Sequence, residues 1–447
     1  MIQTGLIPNA HNDLVTDASY DFYGLRLATC SLDQRIKLWQ LDETNGSWAL
    51  EDDWKAHDAA VSKISWAHPE FGTIIASSSF DRTVKVWEQT PSNGLPDTQQ
   101  VNGHASQSQT PGPSTSRWIE RAVLPEARGT VRAVEFAPHH FGLKLASISS
   151  DNHLRIYECL EQPSLTTWQL SEEADVQALP QSPSTSPFTR AQQTNALATP
   201  TQNSSSTDGA SAPLIAQALQ QGLQQSSSAL PRPGLGNREA DGGWCISWCK
   251  DRYWGEIVAA GSGTTGVIKV GVLPCSLRPP DPRFLPQIIQ LSSNRPTTIL
   301  TLDPSPAVEG ALVDQDPSGP STSAITSVSW APSCGRSYHL IATGGRDGHV
   351  RIWRVKPGEE ADDDMGDAED GRWTASIVAD FEQHKSAVGR VEWNITGTVL
   401  SSAGNDGRIR LWKATSGNVW RPAGSIGVEQ SEDHDTEHRP DRDIDME

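Results

Sequence analysis

The chain has 447 residues, 36% of them hydrophobic, with six cysteines and a formal net charge of −19 at pH 7. It holds no run of about 20 apolar residues, which excludes a membrane-spanning helix, and its acidity disfavours direct binding of nucleic acid. Six cysteines without an apolar leader at the N-terminus point to a reducing compartment.

In chain order, the first unit is HNDLVTDASYDFYGLRLATCSLDQRIKLW, residues 11–39, with Asp33 six positions ahead of Trp39 and His11 well upstream. A second unit repeats the pattern with His57, Asp81 and Trp87. Residues 90–127 follow, rich in Ser, Gln, Gly and Pro, and read as an insertion. The third unit, VRAVEFAPHHFGLKLASISSDNHLRIYE, keeps the spacing with Asp151 and puts Tyr157 in place of the tryptophan. Residues 171–242 are dense in Ser, Thr, Gln and Pro, a composition that cannot offset chain entropy, so a disordered loop is expected. Within it, 213–225 sets Leu214, Ala218, Leu219 and Leu223 on one helical face, but so short a helix containing Gly222 is marginal alone.

The stretch from Trp244 to Val270 keeps the rhythm but lacks both the aspartate and the closing tryptophan; it reads as a degenerate fourth unit. After a further insertion at 275–320 comes a fifth unit with Asp347 and Trp353, then an acidic insertion at 357–371. The sixth unit carries His384, Asp406 and Trp412, and 425–447 reads as an acidic disordered tail. Residues 359–370 and 428–447 together hold most of the negative charge, so the body between them is close to neutral.

Each unit contains three successive segments of alternating apolar residues, favoured by β-branched and aromatic side chains, which predicts short antiparallel strands. The aspartate falls in the turn between the second and third, where its carboxylate can bond its own backbone. His11, His57 and His384 with Asp33, Asp81 and Asp406 could be drawn as proton-transfer pairs. Their repetition argues for a scaffold instead, because an active site normally occurs once. There is no phosphate-cradling GxxxxGK[ST] sequence and no GxSxG elbow, and GSGTTG at 261–266 lies in a hairpin rather than opening a helix. Cys245 and Cys249 lack a second cluster and read as buried thiols, not metal ligands. No cofactor and no enzymatic activity are expected.

The repeated unit resembles the WD40 repeat, which implies an all-β β-propeller in which His, a strand Ser or Thr, the turn Asp and the Trp form a hydrogen-bonded chain within each blade. Without the insertions and tail, about 42 residues remain for each of six units, inside the range of about 40 to 45 for this repeat. Six blades over residues 6–424 are therefore expected. More specifically, WAHPEFGTIIASSSFDRTVKVWE, RIYE at 155–158 and WNITGTVL followed by RLWKA resemble the Seh-one family of small WD40 nucleoporins. WAHP alone would fit equally its relative, the Sec-thirteen propeller of the COPII outer coat.

The resemblance implies an open six-bladed propeller in the outer-ring Y complex of the nuclear pore, completed by an α-solenoid nucleoporin that inserts a seventh blade. It also implies membership of a vacuolar or lysosomal complex regulating TORC1. Physically, an unclosed propeller leaves strand edges that another chain can satisfy by β-augmentation, here between 6–40 and 384–422.

Overall fold

The computed structural model describes residues 7–90, 117–162, 164–179, 242–264, 266–272, 296–304, 323–356 and 373–427. The expected helix at 213–225, the acidic stretch 359–370 and nearly all of the tail lie outside the described residues.

Among the described residues, twenty-four strands form six four-stranded antiparallel sheets, each from strands consecutive in the chain. Blade 1 is β1 (Val15–Tyr20), β2 (Arg26–Ser31), β3 (Arg35–Asp42) and β4 (Ser47–Lys55). Blade 2 is β5 (Val61–Trp66), β6 (Ile74–Ser79), β7 (Val84–Thr90) and β8 (Arg117–Leu124). Blade 3 is β9 (Val131–Phe136), β10 (Lys144–Ser149), β11 (His153–Cys159) and β12 (Trp168–Asp175). Blade 4 is β13 (Cys245–Trp248), β14 (Ile257–Gly261), β15 (Ile268–Val272) and β16 (Thr297–Leu302). Blade 5 is β17 (Ile325–Trp330), β18 (His339–Gly345), β19 (Val350–Lys356) and β20 (Thr374–Phe381). Blade 6 is β21 (Val388–Trp393), β22 (Val399–Gly404), β23 (Arg408–Ala414) and β24 (Trp420–Gly427).

The degenerate fourth unit is thus a blade, and the architecture is a six-bladed WD40 β-propeller. Two expectations need correction. Each blade has four strands rather than three, and β8, most of β12 and all of β16 lie inside stretches expected as insertions. These outermost strands pack one face on the blade and leave the other in water, so they lack the apolar runs that mark the inner strands. Long connections also precede β8 and β16, hiding their pairing with β7 and β15.

The second strand is buried along its whole length in blades 2 to 5, as β6, β10, β14 and β18. The residue after the turn aspartate has a left-handed backbone in five blades: Gln34, Arg82, Asn152, Gly348 and Gly407, with φ between 66° and 82°. This geometry returns the third strand tightly onto the second and aims the aspartate back into the blade.

The apolar core is divided between blades rather than held at a centre. One cluster packs Ala28, Cys30, Ile36 and Leu38 of blade 1 against Val61 and Ile64 of blade 2. Equivalent clusters join blades 2 and 3, 3 and 4, 4 and 5, and 5 and 6. Among the described residues, none joins blade 6 to blade 1.

Candidate functional site

The predicted His, Asp and Trp residues meet inside the blades. In blade 2, His57 Nδ1 lies 2.8 Å from Asp81 Oδ2 and its Nε2 lies 2.8 Å from Ser77 Oγ, which also accepts the Trp87 indole N–H at 2.9 Å. Blade 1 repeats this with His11, Asp33, Thr29 and Trp39, and blade 6 with His384, Asp406, Ser402 and Trp412. The aspartate does not touch the indole; the histidine and the strand hydroxyl carry the connection.

Blades 3 and 5 use arginine where blades 1, 2 and 6 use histidine. Arg155, fully buried, donates to Asp151 at 2.8 Å, and Arg351 donates to Asp347 at 3.2 Å while Trp353 donates to Thr343 at 3.0 Å. Tyr157 is buried at the tryptophan's place. These arginines stand in LRIY and VRIW, two residues before each aromatic, a place that Arg410 also fills in blade 6 beside its histidine, so the position alone did not mark them.

Burial would raise the carboxyls, yet hydrogen bonding holds them down. His57 and Thr83 bring Asp81 far below the usual carboxylate range, and Arg155 and Ser149 do the same for Asp151. Asp406 is held down to about 2 by Arg410 and His384 against the same opposing burial. Cys245 and Cys249 are buried thiols, and burial pushes them up to about 12 and about 11, so neither is poised as a nucleophile. These networks tie strands together and face no common cleft.

Among the described residues, the seam between blades 6 and 1 is the junction without an apolar cluster. Val61, Val131 and Val388 open the inner strands of blades 2, 3 and 6 at 0% exposure, whereas Val15 at the start of β1 is 48% exposed. Leu14 and Tyr20 beside it are 72% and 57% exposed. On the other side, Ser401, Ala403, Ile409 and Leu411 stand where blade 1 has the fully buried Ala28, Cys30, Ile36 and Leu38. In blade 6 Ile409 is exposed and the other three are half-buried. Strand β22 is correspondingly covered on only one face.

Hydrogen bonds between neighbouring blades show what the seam lacks. Thr16 Oγ1 donates to Val61 O at 2.6 Å and Ser62 Oγ to Val131 O at 2.7 Å, and Thr326 makes the equivalent bond to Val388 O. Indole N–H groups run the other way: Trp66 to Ser19 O at 3.0 Å, Trp248 to Glu135 O at 3.2 Å, Trp393 to Ser329 O at 3.0 Å. At the seam the hydroxyl position is Gly389 and the indole position is Tyr20. What crosses is a side chain: Arg390 of β21 reaches Asp17 and donates to Ala18 O at 2.7 Å. Sequence reasoning missed this pair because its partners lie at opposite ends of the chain.

Comparison with known proteins agrees with the repeat and narrows it. The model "WD domain, G-beta repeat" matches residues 4–40, 49–88, 315–354 and 375–413. Nucleoporin SEH1 of Saccharomyces cerevisiae is 31% identical over 94% of this chain and 99% of its own length. Nucleoporin seh1 of Schizosaccharomyces pombe is 28% identical over 96% and 98%, and Nucleoporin SEH1 of Homo sapiens 30% identical over 93% and 86%. With the blade order, the repeated networks and relatives matched nearly end to end, the chain belongs to the Nucleoporin SEH1 family.

Proposed function

We propose that this protein is a structural subunit of the nuclear pore outer ring, the Y complex, held there by an α-solenoid nucleoporin that inserts strands between blades 6 and 1. The observation that carries the reading is that five apolar clusters serve six blades, leaving Val15 and Tyr20 facing Ile409 and Leu411 across an uncovered seam. An added blade would bury this apolar surface and satisfy backbone groups on both sides, which is β-augmentation driven by hydrophobic burial. The relatives' names favour a pore partner over a vesicle-coat partner. The same seam would serve the TORC1-regulating complex that the family resemblance implies, so one molecule would belong to one assembly at a time. Native affinity purification from the protein's own cells, with mass spectrometry of stoichiometric partners, tests this. Recovery of α-solenoid nucleoporins is expected; recovery of coat subunits alone would overturn the pore assignment.

A further inference from the structure

The closed junctions specify the chemistry of whatever closes the open one. Glu392 in β21 occupies the same inner-strand position as Glu135 in β9, in the matching strings VGRVEW and VRAVEF. Glu135 is a receptor for the next blade: its carbonyl accepts the Trp248 indole N–H at 3.2 Å and its carboxylate accepts the Trp248 backbone N–H at 3.2 Å. The same carboxylate pairs with Lys250, two residues beyond that tryptophan. Glu392 has the same groups on the uncovered side of blade 6, with its side chain 58% exposed and engaged by Arg390 at 3.0 Å.

On the opposite wall, the inner strand of blade 1 presents the carbonyl of Val15. At the three junctions that use a strand hydroxyl, the equivalent carbonyl is Val61, Val131 or Val388 O, and a Thr or Ser of the preceding blade donates to it. The incoming strand must therefore look one way to Glu392 and the other way to Val15. Four residues separate the hydroxyl and aromatic positions, as in Ser62 and Trp66 or Thr326 and Trp330.

We propose that Glu392 receives a tryptophan from the closing strand, and that this strand carries a Ser or Thr four residues before the tryptophan and a Lys or Arg two residues after it. This rests on the seam reading above and adds the chemistry of the partner strand and the receptor residue in this chain. Arg390 stays beside Glu392 and orients its carboxylate, while its reach across to Asp17 gives way to the incoming strand. The cation two residues after the tryptophan offsets the same carboxylate from the partner's side, as Lys250 does for Glu135.

The test uses the full chain with a copy of its own residues 242–272, the strands that close on Glu135, carrying Trp244→Ser so that the hydroxyl position is filled, appended after Glu447 through a flexible linker. Tethering raises the effective concentration of the copy at the seam to the millimolar range. Hydrogen exchange across residues 14–23 and 399–411 should slow and the melting temperature should rise. Glu392→Ala in the host should reduce the seam protection about tenfold, the weight of one charge-assisted hydrogen bond, while Glu392→Gln should retain part of it. Replacing the copy's tryptophan equivalent to Trp248 by phenylalanine should give a similar loss without altering the host. The untethered Glu392→Ala chain should melt with the parent, since its carboxylate is largely in water. Equal protection in parent, Glu392→Ala and the phenylalanine copy would overturn the receptor assignment and leave the seam reading standing. No protection of residues 14–23 or 399–411 by any copy would overturn the seam reading itself.

Discussion

At the scale of single residues, each turn aspartate ties its own turn to a histidine or arginine held inside the blade. Asp81 accepts from the Thr83 backbone N–H at 2.9 Å and from its hydroxyl at 2.7 Å, and it lies 2.8 Å from a histidine whose side chain is 0% exposed. Removing the carboxylate leaves His57 buried without its acceptor, so Asp81→Ala should cost about 1–3 kcal/mol, seen as a lower melting temperature. The same residues set the acid limit. Asp81 and Asp151 have folded values far below their ordinary value of 3.8, so their contribution is complete above about pH 4 and is lost as pH falls toward the folded values. The melting temperature should therefore fall in two stages, first below about pH 6.5, where burial keeps His339 and His384 from charging in the folded chain, and again below about 4, with a shallower second stage in Asp81→Ala; equal second stages would contradict the placement. All five turn aspartates were legible in the sequence because the turn fixes their spacing from the aromatic. The arginine partners in blades 3 and 5 were not, since one arginine beside an aromatic has no meaning until it folds against a carboxylate.

At the scale of strands and blades, the inner three strands of each unit were readable because they alternate or run continuously apolar. The fourth was not, because its residues answer to one neighbour and to water. Junctions between blades were equally hidden. The Lys144 ammonium of β10 meets Glu256, next to β14, at 2.7 Å with both side chains almost wholly buried. Burial pushes the Glu256 carboxyl up and Lys144 opposes it. Glu256→Ala should take the carboxylate away from a buried ammonium between blades 3 and 4 and cost about 3 kcal/mol in denaturant unfolding. The double variant Lys144→Met, Glu256→Leu should recover most of that loss, because an apolar pair of similar volume removes the desolvation penalty along with the attraction. A double variant as unstable as the single one would mean that the junction depends on the charges themselves.

At the scale of the whole molecule, the ring is a set of blades in which every junction but one has its own apolar cluster. A charge placed on the uncovered wall should therefore separate assembly from folding. Ile409→Asp, at a position 39% exposed, should leave the melting temperature of the isolated chain nearly unchanged and sharply reduce co-purification of the seam partner. The equivalent change at fully buried Ile36 should unfold the junction of blades 1 and 2. Sequence by itself determined the number of blades, the turn aspartates with their histidines and closing aromatics, and the family, because these depend on local spacing repeated along the chain. Only the tertiary structure decided which apolar residues remain uncovered, that Arg390 spans from the last blade to Asp17 in the first, and that Glu392 borders an open seam where Glu135 meets a blade. Those facts arise from bringing the two ends of the chain together, and Ile36 and Ile409 occupy the same place in the same repeat until a neighbouring blade covers one and leaves the other in water.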